Sequence, residues 1–257
     1  PKGTFVSWCD KLASTPGIGL LLDELYTPVS TLLEPLTPLI SKWSEKNKPT
    51  FTIDAQDAFG ISLSTFEGFQ YAAYPDRMAV EFRHRLRLQP RSAGPPTAEM
   101  ISKPLPYTQL LSKVSEKLQE LVRLTSAGRS RKLVRLGVIS TTVVSPEDSP
   151  PGISRFLAHV GKPWNDGLDF YNIILTAKLP KAKTTLNYDR CIHQISRLED
   201  DSDGLMTIRL DWQRYLDEGR TLSMTSLPEL INSATADALA YFEDIGEGER
   251  FDESLQS

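Results

Sequence analysis

An α+β fold is predicted, with a helical N-terminal layer and two meander-like antiparallel β-β-β-α blocks, from three patterns in the 257 residues. Apolar residues alternate with polar ones through Met78–Leu88 and again through Met206–Trp212. Apolar residues at helical spacing close each block, at Tyr107–Leu121 and at Leu230–Ile245. Pro16, Pro28, Pro35 and Pro38 cut the beginning of the chain into short segments.

Taken in order, Thr4–Lys46 reads as short helices. Thr27 and Thr37 stand as N-caps before a proline in the first turn, where its missing N–H costs nothing. Gly17-Ile18-Gly19 has two glycines of a dinucleotide fingerprint but Leu22 in place of the third and no strand before it, so it reads as a helix boundary. From Phe51 the period becomes two: Phe59, Ile61 and Leu63 alternate, then Phe69, Tyr71 and Ala73. Tyr74-Pro75-Asp76-Arg77 turns into the cleanest strand, Met78–Leu88, which carries Glu81, Arg83, Arg85 and Arg87 on its wet face. A Pro-, Gly- and Ser-rich stretch, Arg91–Pro96, leads to the first closing helix.

In the second block Leu133–Val144 is rich in β-branched residues, and a short helix follows around Ile153–Val160. Strands are expected near Leu168–Leu179, Thr185–Arg197 and Leu205–Leu216. The last helix opens with Ser226 and Glu229 at capping-box spacing. The blocks share an order of helix, three antiparallel strands and closing helix, a hint of a duplicated unit. The expected bounds are 1–48 for the helical segment, 49–128 and 129–246 for the blocks, and 247–257 for an acidic tail; whether the blocks form one sheet or two sub-domains is left open.

Charge is sorted along the chain. Arg77–Arg135 nets about +9 and Glu199–Glu253 about −11, within an overall formal charge of −4. Arg83, Arg85 and Arg87 would stand about 7 Å apart on one strand face, comparable to phosphates along a nucleic-acid strand, unless they form an ordinary solvated face paired with acids. Arg129, Arg131, Lys132 and Arg135, with Arg123, surround the small Ser126–Ser130 loop with no acid between them. Arg83, Arg85, Arg87, Arg129, Arg131, Lys132 and Arg135, seven residues, form the candidate anion- or nucleic-acid-binding surface. The loop lacks interleaved aromatics, which disfavours a single-strand reader based on stacking.

Other chemistry finds less support. Glu199–Gly204 resembles the start of a calcium loop, but Leu210 stands where a bidentate Glu is needed, so a hairpin turn is the better reading. His84, His159 and His193 have no partners at metal spacing, and His84 falls on the apolar strand face. Cys191 and His193 share a strand face but have no third activating group or oxyanion site, and no nucleophile elbow occurs. No catalytic, cofactor or metal residues are therefore assigned. Cys9 and Cys191 imply no disulfide framework, and the apolar Ile18–Leu22 is far too short to span a bilayer. A cytoplasmic protein with no membrane partner and no export leader is expected.

Arg135-Leu136-Gly137 opening a central strand, strands ending in Ile208-Arg209-Leu210-Asp211, and a long helix with Phe242 are residues in which the second half of the chain resembles an uncharacterised family of bacterial proteins, found sporadically near mobile and defence genes. That resemblance implies no activity and carries over no catalytic residue.

The expectation is a non-enzymatic interaction protein, a subunit of a larger complex that presents a basic surface to nucleic acid or to an acidic protein. Two alternatives stand beside it. One is a small-ligand protein or enzyme with an apolar pocket lined by Phe69, Tyr71, Tyr188 and Trp212; the other is a structural protein that self-associates through its acidic and basic poles.

Overall fold

The structure, a computed structural model, describes residues 7–23, 34, 36–38, 40–41, 50–53, 60–65, 67–84, 86–89, 97–100, 105–125, 131–163, 169–179, 188–197, 205–221 and 225–248. Among them run eleven strands: β1 (Thr15–Leu22), β2 (Thr50–Ile53), β3 (Ile61–Ser64), β4 (Phe69–Ala73), β5 (Arg77–Phe82), β6 (Leu86–Gln89), β7 (Thr97–Met100), β8 (Lys132–Val144), β9 (Tyr171–Leu179), β10 (Tyr188–Arg197) and β11 (Met206–Thr221). The described helices are α1 (Trp8–Lys11), α2 (Tyr107–Thr125), α3 (Pro151–Gly161) and α4 (Leu227–Glu247). Nine strands form one antiparallel sheet in the order β2-β3-β4-β5-β1-β8-β11-β10-β9, and β6 pairs with β7 in a separate hairpin. The class is α+β, as predicted.

The N-terminal helical layer needs correction. Thr15–Leu22 is a strand at the centre of the sheet, with Ile18 paired to Val80 of β5 and to Val138 of β8. Ile18, Leu20 and Leu22 alternate with Gly17, Gly19 and Leu21, and the first set supplies the buried side chains of the core. That period of two outweighs the helix propensity of the leucines once strands pair on both edges. Pro16 fits because pairing with β5 begins only at Gly17, so the ladder needs no N–H there. Gly17 and Gly19 are thus mid-strand residues, not a helix boundary. Helix is found further on at residues 34, 36–38 and 40–41.

The expected strand Met78–Leu88 is also corrected. β5 ends at Phe82, His84 turns its Nε2 to the Ala13 carbonyl at 3.1 Å, and the chain restarts as β6 outside the main sheet. The loops at 91–96, 126–130 and 198–204, and the acidic tail beyond Gly248, lie outside the described residues. β10 and β11 are antiparallel neighbours, as a hairpin across 198–204 requires.

The helices cover one face of the sheet. Tyr107, Leu110, Val114, Leu118 and Leu121 of α2 pack with the buried residues of β1, β4 and β5; Ile231, Ala234, Ala238, Phe242 and Ile245 of α4 pack with those of β8 and β11. Fully burying one such side chain contributes about 1.5–3 kcal/mol. α3 crosses α4 closely enough that a Cβ on Gly152 would come within 2.2 Å of the Ile245 carbonyl oxygen. The capping box at the start of α4 is not formed: Ser226 makes no side-chain cap bond.

Polar bonds fix α4 and α1 to this face. Arg214 of β11 makes a bidentate pair with Asp189 of β10 at 3.0 and 2.9 Å and also donates to Asp237 of α4. Burial works against the arginine's charge, yet the bonds from Asp189 and Asp237 hold its pKa above the ordinary value. His193 Nε2 meets Tyr241 Oη at 2.9 Å, and Trp8 Nε1 donates to the Phe242 carbonyl at 2.8 Å. Cys9 of α1 is buried beside Ser140, and burial pushes its thiol up to about 12, which leaves it unreactive at neutral pH.

Arg214→Ala should cost about 3–5 kcal/mol in urea unfolding, because it strands the buried Asp189 carboxylate. An unchanged midpoint would show that this triad does not hold α4 to the sheet.

Candidate functional site on the open face of the sheet

With the helices on one side, the side chains of opposite parity form an open face. Its middle is a run of small residues on consecutive strands: Ser62, Ala72, Ala79, Gly19 and Gly137 are successive register partners from β3 to β8. The same row continues as Gln213, Arg190 and Lys178 across β11, β10 and β9. A Cβ on Gly19 would meet its nearest atom, Ala79 Cβ, at 3.6 Å, and one on Gly137 would meet Asp211 Oδ1 at the same distance. These are ordinary contacts, so packing does not demand glycine at either position.

Among the described residues, two hollows open on this face. One of about 200 Å³ is lined by Gly19, Ala79 and Gly137 below and by Arg77, Arg135 and Asp211 at its sides. The other, about 300 Å³, lies beside Gly17, Glu81, Ile139 and Arg209. Val143 and Ile174 stand 57% and 58% exposed on the same face, more than an ordinary core-facing alternation leaves.

Charge on the open face is uneven. On the half built from β3, β4, β5 and β1, Arg77 is matched by Glu81. On the half built from β8, β11, β10 and β9, the described open-face side chains carry Arg135, Arg209, Arg190 and Lys178 against Asp211. At its centre Gln213 Oε1 accepts from Arg190 Nε at 2.9 Å, from Arg135 Nη1 at 3.4 Å and from Tyr215 Oη at 3.0 Å. Gln213 Nε2 donates to Asp211 Oδ2 at 2.8 Å. Tyr215 stacks on Tyr188 with centroids 4.6 Å apart and planes 4° from parallel. Cations flank this pair: Lys178 lies over Tyr188 at 4.9 Å, and Arg190 and Arg135 lie over Tyr215 at 4.8 and 5.6 Å. Burial raises the Asp211 pKa above its ordinary value, although the Gln213 bond and Arg135, Arg209 and Arg190 act to lower it.

Of the seven residues singled out from the sequence, Arg135 alone is placed in this cluster. Arg83 is exposed beside Glu81 at 3.5 Å, Arg87 belongs to the separate β6–β7 hairpin, and Lys132 is exposed at the start of β8. Arg131 is corrected from a ligand-facing to a structural residue: it is 4% exposed and donates to the carbonyls of Asp23 and Pro75. Arg85 and Arg129 lie outside the described residues. The Arg83-Arg85-Arg87 track fails because β5 stops at Phe82.

The expected aromatic pocket is likewise corrected. Phe69, Tyr71 and Trp212 are buried on the helix side, whereas Tyr188 projects from the opposite face. Arg190 and Arg209 were missed because neither belongs to a basic cluster in the sequence, and Lys178, although Lys181 and Lys183 follow it, was passed over. Their signal was parity, with Arg190 alternating with Asp189, Cys191 and His193, which all face α4. Among the described residues no group of three His, Cys, Asp or Glu could hold a metal ion, and no helix is long and apolar enough to cross a membrane. No protein-family model matches the chain, and no curated protein matches it.

The raised Asp211 pKa fixes the sign of a pH effect. Folding disfavours the ionised carboxylate, a penalty present at neutral pH that disappears as pH falls through the folded-state pKa towards the ordinary value of 3.8. Asp211→Asn, which keeps an acceptor for Gln213, should therefore raise the melting temperature at pH 7, with the gain vanishing below pH 3.8. A lower melting temperature at pH 7 would reverse this assignment.

Proposed function

We propose that this chain is a non-enzymatic interaction protein of the cytoplasm, a subunit of a larger assembly, whose open sheet face docks a polyanionic partner, nucleic acid or an acidic protein. The observation that carries the reading is the cationic excess among the described side chains on the β8–β9 half of that face, where Arg135, Arg190, Arg209 and Lys178 stand with Asp211. Cations collected on a face without their own counter-ions favour an anionic partner and speed encounter with it. Contacts of this kind position a partner without reading sequence. The tyrosine pair supports the same view, since its rings already hold cations and serve to orient them. The setting implied by the resemblance to bacterial proteins near mobile and defence genes is compatible with such a subunit and adds no residue to it.

Binding should weaken steeply with salt. Replacing Arg135, Arg190 and Arg209 together by alanine should flatten the slope of log K against log salt by about 0.7–0.9 for each phosphate no longer neutralised. Fluorescence anisotropy with a labelled duplex, a single strand and an acidic peptide of equal charge would decide the partner class. Arg123→Ala, exposed on α2 at the helix side, serves as control. A triple variant that binds all three probes as well as the unaltered chain would refute the proposal.

A further inference from the structure

The geometry points to a phosphate-monoester site on the open face, with Arg135 and Arg190 as its two anchoring cations. This deepens the polyanion reading and rests on it.

The guanidinium groups come from β8 and β10, on either side of β11, and meet above one neutral oxygen, Gln213 Oε1, at 3.4 and 2.9 Å. A guanidinium carries five N–H donors. Arg135 uses Nη1 towards Gln213 and Tyr215, and Arg190 uses Nε towards Gln213. Among the described residues their other donors have no acceptor, and neither arginine makes an ion pair. An amide oxygen therefore occupies the point where two arginines would ordinarily share a carboxylate. Tyr215 holds both groups over its ring, so their side-chain entropy is already reduced before a ligand arrives.

Charge selects the ligand. Arg135, Arg190 and Arg209 all lie close enough to act on Asp211, and with Lys178 they leave a surplus of positive charge among the described side chains of this half of the face. A phosphate monoester carries about −1.5 to −2 at neutral pH and offers three oxygens, enough to bridge two guanidinium groups. A carboxylate carries a single charge on a planar fork that one arginine satisfies. The side chains around the bridge also argue against recognition through a base: both tyrosine rings are taken up by each other and by cations. The adjoining 200 Å³ hollow, floored by Gly19 and Gly137, leaves room for the group that carries the phosphate.

The test is calorimetric titration of the full chain with inorganic phosphate and, separately, with acetate, in a buffer free of both. Saturable phosphate binding is expected, at least tenfold tighter than acetate, and reduced at least tenfold in Arg190→Gln. A second variant combines Asp211→Asn with Gln213→Glu. It leaves net charge unchanged but moves the carboxylate onto the point where both guanidinium groups meet, so it should abolish phosphate binding while thermal melting shows a folded chain. Glycerol phosphate and a 5′-phosphorylated oligonucleotide, compared with its 5′-hydroxyl form, separate a small carrier from a strand end; binding of either phosphorylated probe supports the site. Acetate binding as tight as phosphate, or phosphate binding untouched by both variants, or no saturable phosphate binding, overturns it. Salt-dependent polyanion binding retained in that last case would leave the broader reading standing and remove only the phosphate site.

Discussion

The double pairing of β1 is the constraint on which the rest of the structure depends. Ile18 sits between Val80 and Val138, and through that one strand the meander β3-β4-β5 and the meander β9-β10-β11 become parts of a single sheet. Because side chains alternate along a strand, the register that buries Ile18, Leu20 and Leu22 beneath α2 also sends Gly17, Gly19 and Leu21 to the opposite face. A one-residue slip would exchange the two sets and place two glycines in the core. The register of β1 thus settles both the core and the floor of the open face.

Polar bonds on the helix side reinforce that division. Arg214, Asp189 and Asp237 tie β11 and β10 to α4, His193 adds a bond to Tyr241, and Trp8 bonds the backbone of α4 from α1. Asp189 and His193 of β10 and Arg214 of β11, all buried, are consumed there, on alternate residues. Their other parity, Arg190, Arg209, Asp211, Gln213 and Tyr215, is left to interact across the open face. Two adjacent strands therefore carry two separate polar networks back to back, one structural and one facing outward. Along the chain the two are interleaved, because both consist of arginines, carboxylates and tyrosines at close spacing.

What could be read from sequence followed periodicity. α2, α3, α4 and the strands of the second block were legible because their apolar residues repeat at 3.6 or 2 over long stretches. β1 was not, because its alternation is built on glycine and is introduced by proline, residues that locally signal a break. The single strand expected across Met78–Leu88 kept its alternation through Phe82 and His84, and nothing in that pattern marks the point where the chain leaves the main sheet for another hairpin. The candidate site suffered from the same limit. Clustering in sequence selected Arg131, which folding buries against two carbonyls, and passed over Arg190 and Arg209, which only strand pairing brings near Arg135.

The open face is best understood by comparing its halves. Both are antiparallel strands covered by one long helix on the far side, yet Ser62, Ala72, Ala79 and Gly19 line one while Gln213, Arg190 and Lys178 continue the same row on the other. Backbone geometry alone cannot produce that difference, since the row is continuous in register and its two central glycines are not forced by close packing. The asymmetry lies in side-chain chemistry: a shallow, nearly featureless floor on one side meets a preassembled group of cations on the other. Had the cations served only to hold the sheet together, they would be expected to face carboxylates at ion-pair distance, as Arg214 faces Asp189. Arg135 and Arg190 instead converge on an amide oxygen and an aromatic ring, partners that orient a charge without neutralising it. An oriented, unneutralised pair of guanidinium groups at the end of an open floor is the arrangement that the proposed anion would complete.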